Sequence, residues 1–196
     1  MIIPGSALPV GWFMTDYTGS KTPVEQRNLW QTPIPLFVAL DSEFCLTLDA
    51  AASADNALFN RYITAEQDTL ITSWGEFLVS PGYVWLNPPY SDIGPFVHKA
   101  AAESRNQIGT VMLVPADTSV GWFRDAIETA SEVRFIVGGR ISFINPVSGQ
   151  PVSGNNKGSM LIIWRPYPPT HCQFTTIDRD VLMNFGARLI AKREAA

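Results

Sequence analysis

The residues best suited to chemistry form one tetrapeptide, Asn87-Pro88-Pro89-Tyr90, which directly follows a predicted strand over residues 83–86. Two consecutive prolines remove two N–H donors and restrict φ, so the backbone is stiff and its carbonyl groups point outward. The Asn87 amide oxygen and the Pro88 carbonyl oxygen can then accept the two hydrogens of a planar exocyclic amine. The ring of Tyr90 can stack on the planar group that carries this amine. The tetrapeptide therefore predicts a site for a planar substrate with an NH₂ group.

Accepting both hydrogens changes the reactivity of such an amine. The two hydrogen bonds draw the nitrogen towards tetrahedral geometry and free its lone pair for attack. Binding that is tighter for the pyramidal, cationic nitrogen than for the planar one stabilises the transition state selectively. In open α/β sheets, ligands bind outside the carboxyl ends of strands, where this loop is predicted to lie. The alternative is a simple tight connection between strand and helix, but a strand followed by Asn-Pro-Pro-Tyr is much rarer than Pro-Pro.

The elements that must position this loop follow from the hydrophobic pattern. Thr32 can cap a helix with Pro33 at its first position, running to about residue 40. Asp178 can cap a last helix, whose apolar face is formed by Val181, Leu182, Phe185, Leu189 and Ile190. Further helices are predicted over 94–106 and 120–129, and strands over 44–48, 83–86, 110–114, 132–137, 140–144 and 159–164. Between them, the pattern also permits a helix over 50–60, a strand over 61–64 and a helical turn over 69–74.

This alternation of strands and helices predicts an α/β fold with a mainly parallel sheet. The strands that flank the Pro-, Gly- and Ser-rich loop over 145–158 are expected to supply an antiparallel edge. Residues 1–29, which contain three prolines and three glycines without any periodic stretch, are interpreted as an irregular N-terminal arm. Residues 30–196 are then expected to form a single domain.

Composition excludes several classes of protein. The chain has 196 residues, enough for one domain, and 46% of them are hydrophobic, which excludes a disordered acidic tail protein. No apolar run approaches the roughly 20 residues of a membrane span, and the first residues lack the basic segment of a secretory signal. Cys45 and Cys172 lie too far apart for a metal-binding knuckle. We therefore expect a cytoplasmic protein without a membrane segment or a metal site. The net charge of −4 argues against a non-specific grip on phosphate backbones, although a local basic face is compatible with it.

The tetrapeptide and several other stretches resemble a known family. Asn-Pro-Pro-Tyr is similar to the catalytic motif of amino-group methyltransferases that use S-adenosyl-L-methionine, and the wider pattern resembles the phage DNA N6-adenine methyltransferases of the Dam type. The matching stretches are Trp30-x-Thr32-Pro33, Leu46-Thr47-Leu48-Asp49-Ala50, Asp68-x-Leu70 before Trp74, Trp85 to Ser91, Gly139-Arg140-Ile141-x-Phe143, and Asn156 followed by Gly158-Ser159-Met160-Leu161. The resemblance implies a class I methyltransferase (Rossmann-like) fold with a mixed, mainly parallel seven-stranded sheet. It also implies catalytic roles for Asn87, Pro88, Pro89 and Tyr90.

The same resemblance implies a cofactor site for S-adenosyl-L-methionine. Its expected residues are Trp30, Thr32, Pro33, Asp49, Ala50, Asp68 and Asn87. Thr32-Pro33 would contact the methionine moiety, and Asp68 would bind the ribose or the adenine, with Glu66 as a competitor for that role. Asp49 is followed by alanines where methyltransferases usually have glycines, so its alternative role is that of a helix N-cap carboxylate.

The implied partner is double-stranded DNA, with adenine N6 as the methyl acceptor. The expected substrate contacts come from Tyr90, Ser91, Arg140, Phe143 and Lys157. The adenine must swing out of the duplex to enter a pocket, and Tyr90 and Phe143 would then form its two stacking walls. Phe143 suits a core position equally well. Arg140, Lys157 and Arg165 could each contact a phosphate group, but each taken singly suits a solvated surface better. Because no separate recognition domain fits in the chain, sequence reading is expected from residues 1–29, from the loop over 144–158 or from the loop after Tyr90.

Two other functions are compatible with these residues. The same loop fits another planar amino group, such as a protein glutamine amide or an RNA base, and the acidic composition mildly favours that acceptor. The missing glycines after Asp49 instead favour a non-enzymatic nucleic-acid-binding or decoy protein with a decayed cofactor site.

Overall fold

A computed structural model describes residues 30–78, 82–152, 157–167 and 171–195, so the predicted arm over 1–29 lies outside the described residues. In this part of the chain the main sheet contains β1 (Leu46–Asp49), β2 (Tyr83–Leu86), β3 (Gly109–Pro115), β4 (Glu132–Val137), β7 (Ser159–Trp164) and β8 (Gln173–Asp178). A separate two-stranded pair is formed by β5 (Phe143–Ile144) and β6 (Pro151–Val152). The helices are α1 (Ile34–Phe44), α2 (Gly94–Arg105), α3 (Gly121–Thr129), α4 (Arg179–Glu194) and a 3₁₀ helix (Trp74–Phe77).

The six strands lie in the order β1-β2-β3-β7-β4-β8. Strands β1, β2 and β3 are parallel, β4 and β8 are parallel, and β7 is antiparallel to both β3 and β4. Five of the six described strands therefore point the same way, which confirms the predicted α/β fold with a mainly parallel sheet. The antiparallel strand lies inside the sheet, so the expectation of an antiparallel edge is wrong. Every residue of β7 is buried, and such a strand needs a neighbour on each side.

Helices cover both faces of the sheet. Neighbouring residues of β3 point to opposite faces, as the pleat of a strand requires: Val111 joins the cluster under α1 and α4, and Met112 joins the cluster under α2 and α3. Helix α4 crosses the start of α1 at Gly186, where a Cβ atom would overlap the Pro35 carbonyl oxygen. Only glycine permits this approach, which fixes α1 and the residues just before it against α4.

The beginning of α1 differs from the prediction in one informative way. The helix starts at Ile34, its N-cap residue is Pro33, and no side chain caps it. Thr32 is therefore not the N-cap residue, and its hydroxyl group is available for a contact elsewhere. In contrast, Asp178 caps α4 as predicted, since its carboxylate accepts hydrogen bonds from the first turn of that helix.

The buried strands are the best predicted elements. Those over 83–86, 132–137 and 159–164 are confirmed at both ends. The apolar face predicted for α4 is narrower than expected, because Leu182 is buried whereas Val181 and Phe185 are exposed. Residues 50–60 form turns instead of the predicted helix, and the strand over 61–64 is reduced to a single bridge between Tyr62 and Asp49.

Candidate active site

Asp49 and Asn87 emerge from neighbouring strands at the same edge of the sheet. Strands β1 and β2 are parallel, and Asp49 is in register with Trp85, two residues before Asn87. The N–H of Ala50 donates to the Trp85 carbonyl oxygen at 3.0 Å, which continues the pairing to the end of β1. The carboxyl ends of the parallel strands meet here, at the position where open α/β sheets bind ligands.

The amide of Asn87 is held at one end and unpartnered at the other. Its Nδ2 atom donates to the Thr32 Oγ1 atom at 3.3 Å. Its Oδ1 atom is buried and accepts no hydrogen bond within the described residues. A buried polar atom without a partner costs free energy of about 1–3 kcal/mol, so such atoms mark places that a ligand can satisfy. The unpartnered oxygen is the atom that the sequence assigns to an incoming amine.

Tyr90, three residues after Asn87, and Phe143 lie against each other. Their ring centroids are 6.2 Å apart and the rings are nearly perpendicular, at 85°. Phe143 is 5% exposed, whereas Tyr90 is half-buried and packs against the clusters on both faces of the sheet. The Tyr90 hydroxyl group is also buried without a described partner, and this burial raises its pKa above the ordinary value. The two aromatic residues expected at the site are therefore in contact, although 53 positions separate them in the chain.

A short backbone pairing connects the start of the described chain to this aromatic pair. Gln31 and Ile144 form an antiparallel bridge, with N–H to carbonyl distances of 3.0 and 2.9 Å. Thr32 follows Gln31, and Phe143 precedes Ile144. The bridge thus fixes the backbone on both sides of the site, so that Thr32, Asn87, Tyr90 and Phe143 form one contiguous group. The sequence does not predict this bridge, because its partner Gln31 lies in no regular strand.

Asp49 is a buried carboxylate, only 3% exposed. Burial raises its pKa to about 6, although hydrogen bonds from the Leu58 and Ala51 N–H groups act in the opposite direction. Those bonds, at 3.2 and 3.4 Å, curl the chain after β1 and hold the loop that follows. The alternative role as a helix N-cap is wrong, since no helix follows Asp49. Its main-chain groups pair with Arg61 and Ile63, which brings that stretch beside β1.

Asp68 sits in a tight turn, in the left-handed region with φ +54°. Its carboxylate accepts the Leu70 N–H at 3.0 Å, and its hydrogen bonds in the described residues stay within that turn. No described hydrogen bond joins it to Asp49 or Asn87. Its competitor Glu66 is exposed, and hydrogen bonds from its own N–H and from the Thr64 hydroxyl lower its pKa. Asp68 is half-buried whereas Glu66 is exposed, but the structure does not bring Asp68 into the group around Asn87.

The other residues expected at the cofactor, and the rest of the loop, differ in how far they are buried. Trp30 packs at the margin of the cluster under α1 and α4, Pro33 is buried at the start of α1, and Ala50 is fully buried after β1. Pro88 is buried and Pro89 half-buried, so the loop is wedged against the sheet and keeps its shape. Ser91, just beyond it, is exposed.

Two basic residues expected at the substrate lie further along this edge. Arg140 is exposed after the carboxyl end of β4, and its carbonyl oxygen accepts a hydrogen bond from the Arg179 Nη1 atom at 3.1 Å. Gly138 and Gly139, with φ of +78° and +153°, make the turn that carries it there. Arg165, the third basic residue considered for a phosphate contact, does not lie at this edge. Its guanidinium pairs with Glu132 at the opposite end of β4.

Lys157 forms an ion pair with Asp117, an acidic residue that the sequence does not single out. Hydrogen bonds from Lys157 and Ser119 lower the pKa of Asp117 to about 2. Asp117 comes two residues after β3, and the Ala116 N–H donates to Gly158 at 2.9 Å, which joins the end of β3 to the start of β7. The signal that identifies Asn87 is a polar residue just after a strand, and the same signal could have identified Asp117.

The described ranges contain no group of three or more His, Cys, Asp or Glu residues that could hold a metal ion. No helix within them is long and apolar enough to cross a membrane.

The sheet topology and the stiff loop at its carboxyl edge define an α/β protein with a candidate ligand site at that edge. Among known proteins, the family of DNA N-6-adenine-methyltransferases (Dam) matches residues 19–189 of the chain. One relative is the DNA N-6-adenine-methyltransferase of Escherichia phage T1, 36% identical over 164 residues that cover 76% of this chain and 67% of that protein. Another is the DNA N-6-adenine-methyltransferase of Haemophilus phage HP1 (strain HP1c1), 36% identical over 155 residues that cover 78% and 87%. The chain belongs to the DNA N-6-adenine-methyltransferase (Dam) family, which confirms the resemblance seen in the motifs.

Proposed function

We propose that this protein transfers a methyl group from S-adenosyl-L-methionine to the N6 amino group of adenine in double-stranded DNA. The observation that carries the proposal is the buried, unpartnered Oδ1 atom of Asn87 at the carboxyl end of β2. Membership of the Dam family supports the acceptor, and the phage relatives support a role in the cytoplasm of a host cell. The acceptors kept open by the sequence, a protein glutamine or an RNA base, have no comparable support.

The loop residues activate the amine. Asn87 Oδ1 and the Pro88 carbonyl oxygen accept the two amino hydrogens, which favours a pyramidal nitrogen with a directed lone pair. These contacts are stronger for the nitrogen as it gains positive charge than for the planar ground state, so they lower the barrier. The product ammonium is a strong acid that releases its proton to water, and no strong base is needed beside it.

The cofactor, when bound, supplies an electrophilic methyl group on a sulfonium. The residues we assign to holding it are Trp30, Pro33, Asp49, Ala50 and Asp68, together with the main chain of Thr32, whose hydroxyl group contacts Asn87 instead. Asp49 fits this role because its carboxylate, with a pKa of about 6, is mostly ionised at neutral pH and can accept hydroxyl hydrogen bonds. Ala50 fits because a small side chain allows close approach to the backbone at the end of β1.

The acceptor adenine would stack on Tyr90 with Phe143 beside it, because the two rings are themselves in contact and leave no gap for a base between them. Phe143 meets Tyr90 edge-on, at 85°, so an adenine parallel to the Tyr90 ring would contact the ring of Phe143 at an angle. Ser91, Arg140 and Lys157 lie along the same edge of the sheet and are the residues we assign to DNA contact. Sequence reading falls to the β5–β6 pair, which carries Phe143, and to the loop after Tyr90.

We further propose that the fold is of the class I methyltransferase type, with residues 30–196 as one domain. The observed order β1-β2-β3-β7-β4-β8, with β7 reversed inside a parallel sheet, supports this assignment. The bridge between Asp49 and Tyr62 marks the position beside β1 where a further strand of such a sheet would pair.

Methyl transfer to DNA tests the function directly. The full-length protein is incubated with S-adenosyl-L-methionine labelled in its methyl group and unmethylated duplex DNA, and the DNA is digested to nucleosides. We expect label in N6-methyl-2′-deoxyadenosine, a loss of at least about 100-fold in Asn87→Ala, and no loss in His98→Ala, an exposed position on α2. Label in RNA or in protein glutamine but not in DNA would overturn the acceptor. Heat of binding with S-adenosylhomocysteine but no transfer to any acceptor would indicate a non-enzymatic protein.

A further inference from the structure

Thr32 contacts Asn87 across 55 positions of the chain, and no local element requires that contact. Thr32 is 4% exposed and does not cap α1. Among the described residues, its hydroxyl has one hydrogen bond, accepted from the Asn87 Nδ2 atom at 3.3 Å. This buried hydroxyl therefore has one described role, which is to hold the Asn87 amide in a single orientation.

The orientation of this amide decides whether it can activate an amine. An amino group offers hydrogens, so only the oxygen end of Asn87 can accept them, and the NH₂ end would repel them. Because Thr32 accepts from the nitrogen end, the oxygen end is the unpartnered one. Without the Thr32 hydroxyl, rotation about the terminal side-chain bond would leave the amide free to present either end.

The backbone holds Thr32 in place independently of any ligand. Gln31 is bridged to Ile144 by two hydrogen bonds, and Pro33 restricts the other side. The hydroxyl is thus mounted on a rigid segment that also adjoins Phe143, so the amide and the stacking wall keep a constant relative position. Rigid placement of this kind is the requirement for a group that preorganises a reaction.

We propose that Thr32 is a positioning residue for methyl transfer, which holds the Asn87 amide with its oxygen directed at the acceptor amine. The inference rests on the proposed function, and it differs from a contact between Thr32 and the cofactor because the hydroxyl acts through Asn87. Its effect is on the rate of transfer at saturating cofactor, and the affinity for the cofactor is expected to be unchanged.

The test compares four variants of the full-length protein. Thr32→Val keeps the side-chain volume and replaces the hydroxyl by a methyl group. Thr32→Ala removes both the hydroxyl and the methyl group, whereas Thr32→Ser keeps the hydroxyl and removes only the methyl group. Thr110→Val is the matched control, because Thr110 is a fully buried threonine on β3 whose hydroxyl is unpartnered in the described chain. Single-turnover transfer to duplex DNA is measured at saturating cofactor, and the affinity for S-adenosylhomocysteine is measured by calorimetry.

We expect Thr32→Val and Thr32→Ala to slow transfer about 10- to 100-fold, while cofactor affinity, Thr32→Ser and Thr110→Val stay close to the unmodified protein. In an Asn87→Ala background, Thr32→Val should cause no further loss, because the residue through which it acts is gone. An equal loss in both backgrounds, or weaker cofactor binding with an unchanged rate, overturns the inference. If the unmodified protein methylates no adenine, the proposed function fails; if it does and Thr32→Val is equally fast, only the inference fails.

Discussion

The Lys99 ammonium lies 2.7 Å from the Glu103 carboxylate one turn further along α2, and both side chains are largely buried. Lys99 also donates to the Thr72 carbonyl oxygen at 2.7 Å, and Glu103 accepts the Trp74 N–H at 3.4 Å. The pair therefore fastens the segment around residues 72–74 to α2. Because that segment directly follows the Asp68 turn, the pair also sets where the turn sits relative to the sheet.

Removal of one partner should be costly. In Glu103→Ala the Lys99 ammonium stays buried without its counter-charge, and we expect a loss of about 3–5 kcal/mol in the free energy of unfolding. Urea denaturation at neutral pH measures this loss. Glu128→Ala, an exposed position on α3, serves as the control and should change stability by less than about 0.5 kcal/mol. Similar losses in the two variants would mean that the pair does not hold the segment.

The buried carboxylate of Asp49 gives stability a specific pH dependence. Its pKa is about 6 in the folded protein, against 3.8 for an unperturbed group. Between these values the native state binds more protons than the unfolded chain, so the free energy of unfolding falls as pH rises through this window. The contribution of Asp49 at pH 7 is about 3 kcal/mol less favourable than at acidic pH.

Asp49→Asn removes this titration and isolates it. The difference in unfolding free energy between the unmodified protein and Asp49→Asn, followed by urea denaturation from pH 4 to 7.5, should decrease with rising pH and level off above about pH 6. A difference that is independent of pH would contradict a raised pKa. Affinity for S-adenosylhomocysteine should strengthen over the same range in the unmodified protein only, since the ionised carboxylate is the better acceptor.

Two substitutions of Tyr90 distinguish the role of its ring from the role of its hydroxyl group. Tyr90→Phe keeps the stacking surface and removes a buried hydroxyl that has no partner in the described residues, so neither stability nor transfer should fall appreciably. Tyr90→Ala removes a base–aromatic stack worth about 1–3 kcal/mol, which corresponds to a loss of roughly 5- to 150-fold in transfer to DNA. Single-turnover rates of both variants test this. An equal loss of transfer rate in Tyr90→Phe would mean that the hydroxyl group, and not the ring, is the part of Tyr90 that the reaction requires.

Buried strands are the part of this fold that sequence predicts best. Every residue of β7 is buried, and such a continuous apolar run has no competing interpretation between its turns. Strand β8 is not predicted, because it lies at the sheet edge and its two apolar residues, the exposed Phe174 and the half-buried Ile177, are separated by two threonines, so that no apolar run marks it. The turns after Asp49 are not predicted either. Three alanines favour a helix by propensity, but the Asp49 carboxylate binds the Ala51 and Leu58 N–H groups and curls the chain instead.

The candidate site divides in the same way. Asn87-Pro88-Pro89-Tyr90 is recognisable because its chemistry lies in contiguous residues directly after a strand. The contact between Thr32 and Asn87 is not, since Thr-Pro before an apolar run is the usual signal of a helix start. Local patterns can name the residues that carry the chemistry, whereas the groups that orient them are chosen by tertiary packing. One further residue shows how far that packing extends.

Gly186 permits the close crossing of α4 over the start of α1. In Gly186→Ala the new Cβ would overlap the Pro35 carbonyl oxygen, and relief requires α1 to move together with Thr32 just ahead of it. We expect a loss of about 1–3 kcal/mol or more in stability, together with slower methyl transfer. Gly121→Ala, where a Cβ meets nothing within 4 Å, should be neutral or gain up to about 1 kcal/mol. Thermal unfolding and single-turnover transfer measure both effects, and equal melting of the two variants would mean that α1 is not anchored at this crossing.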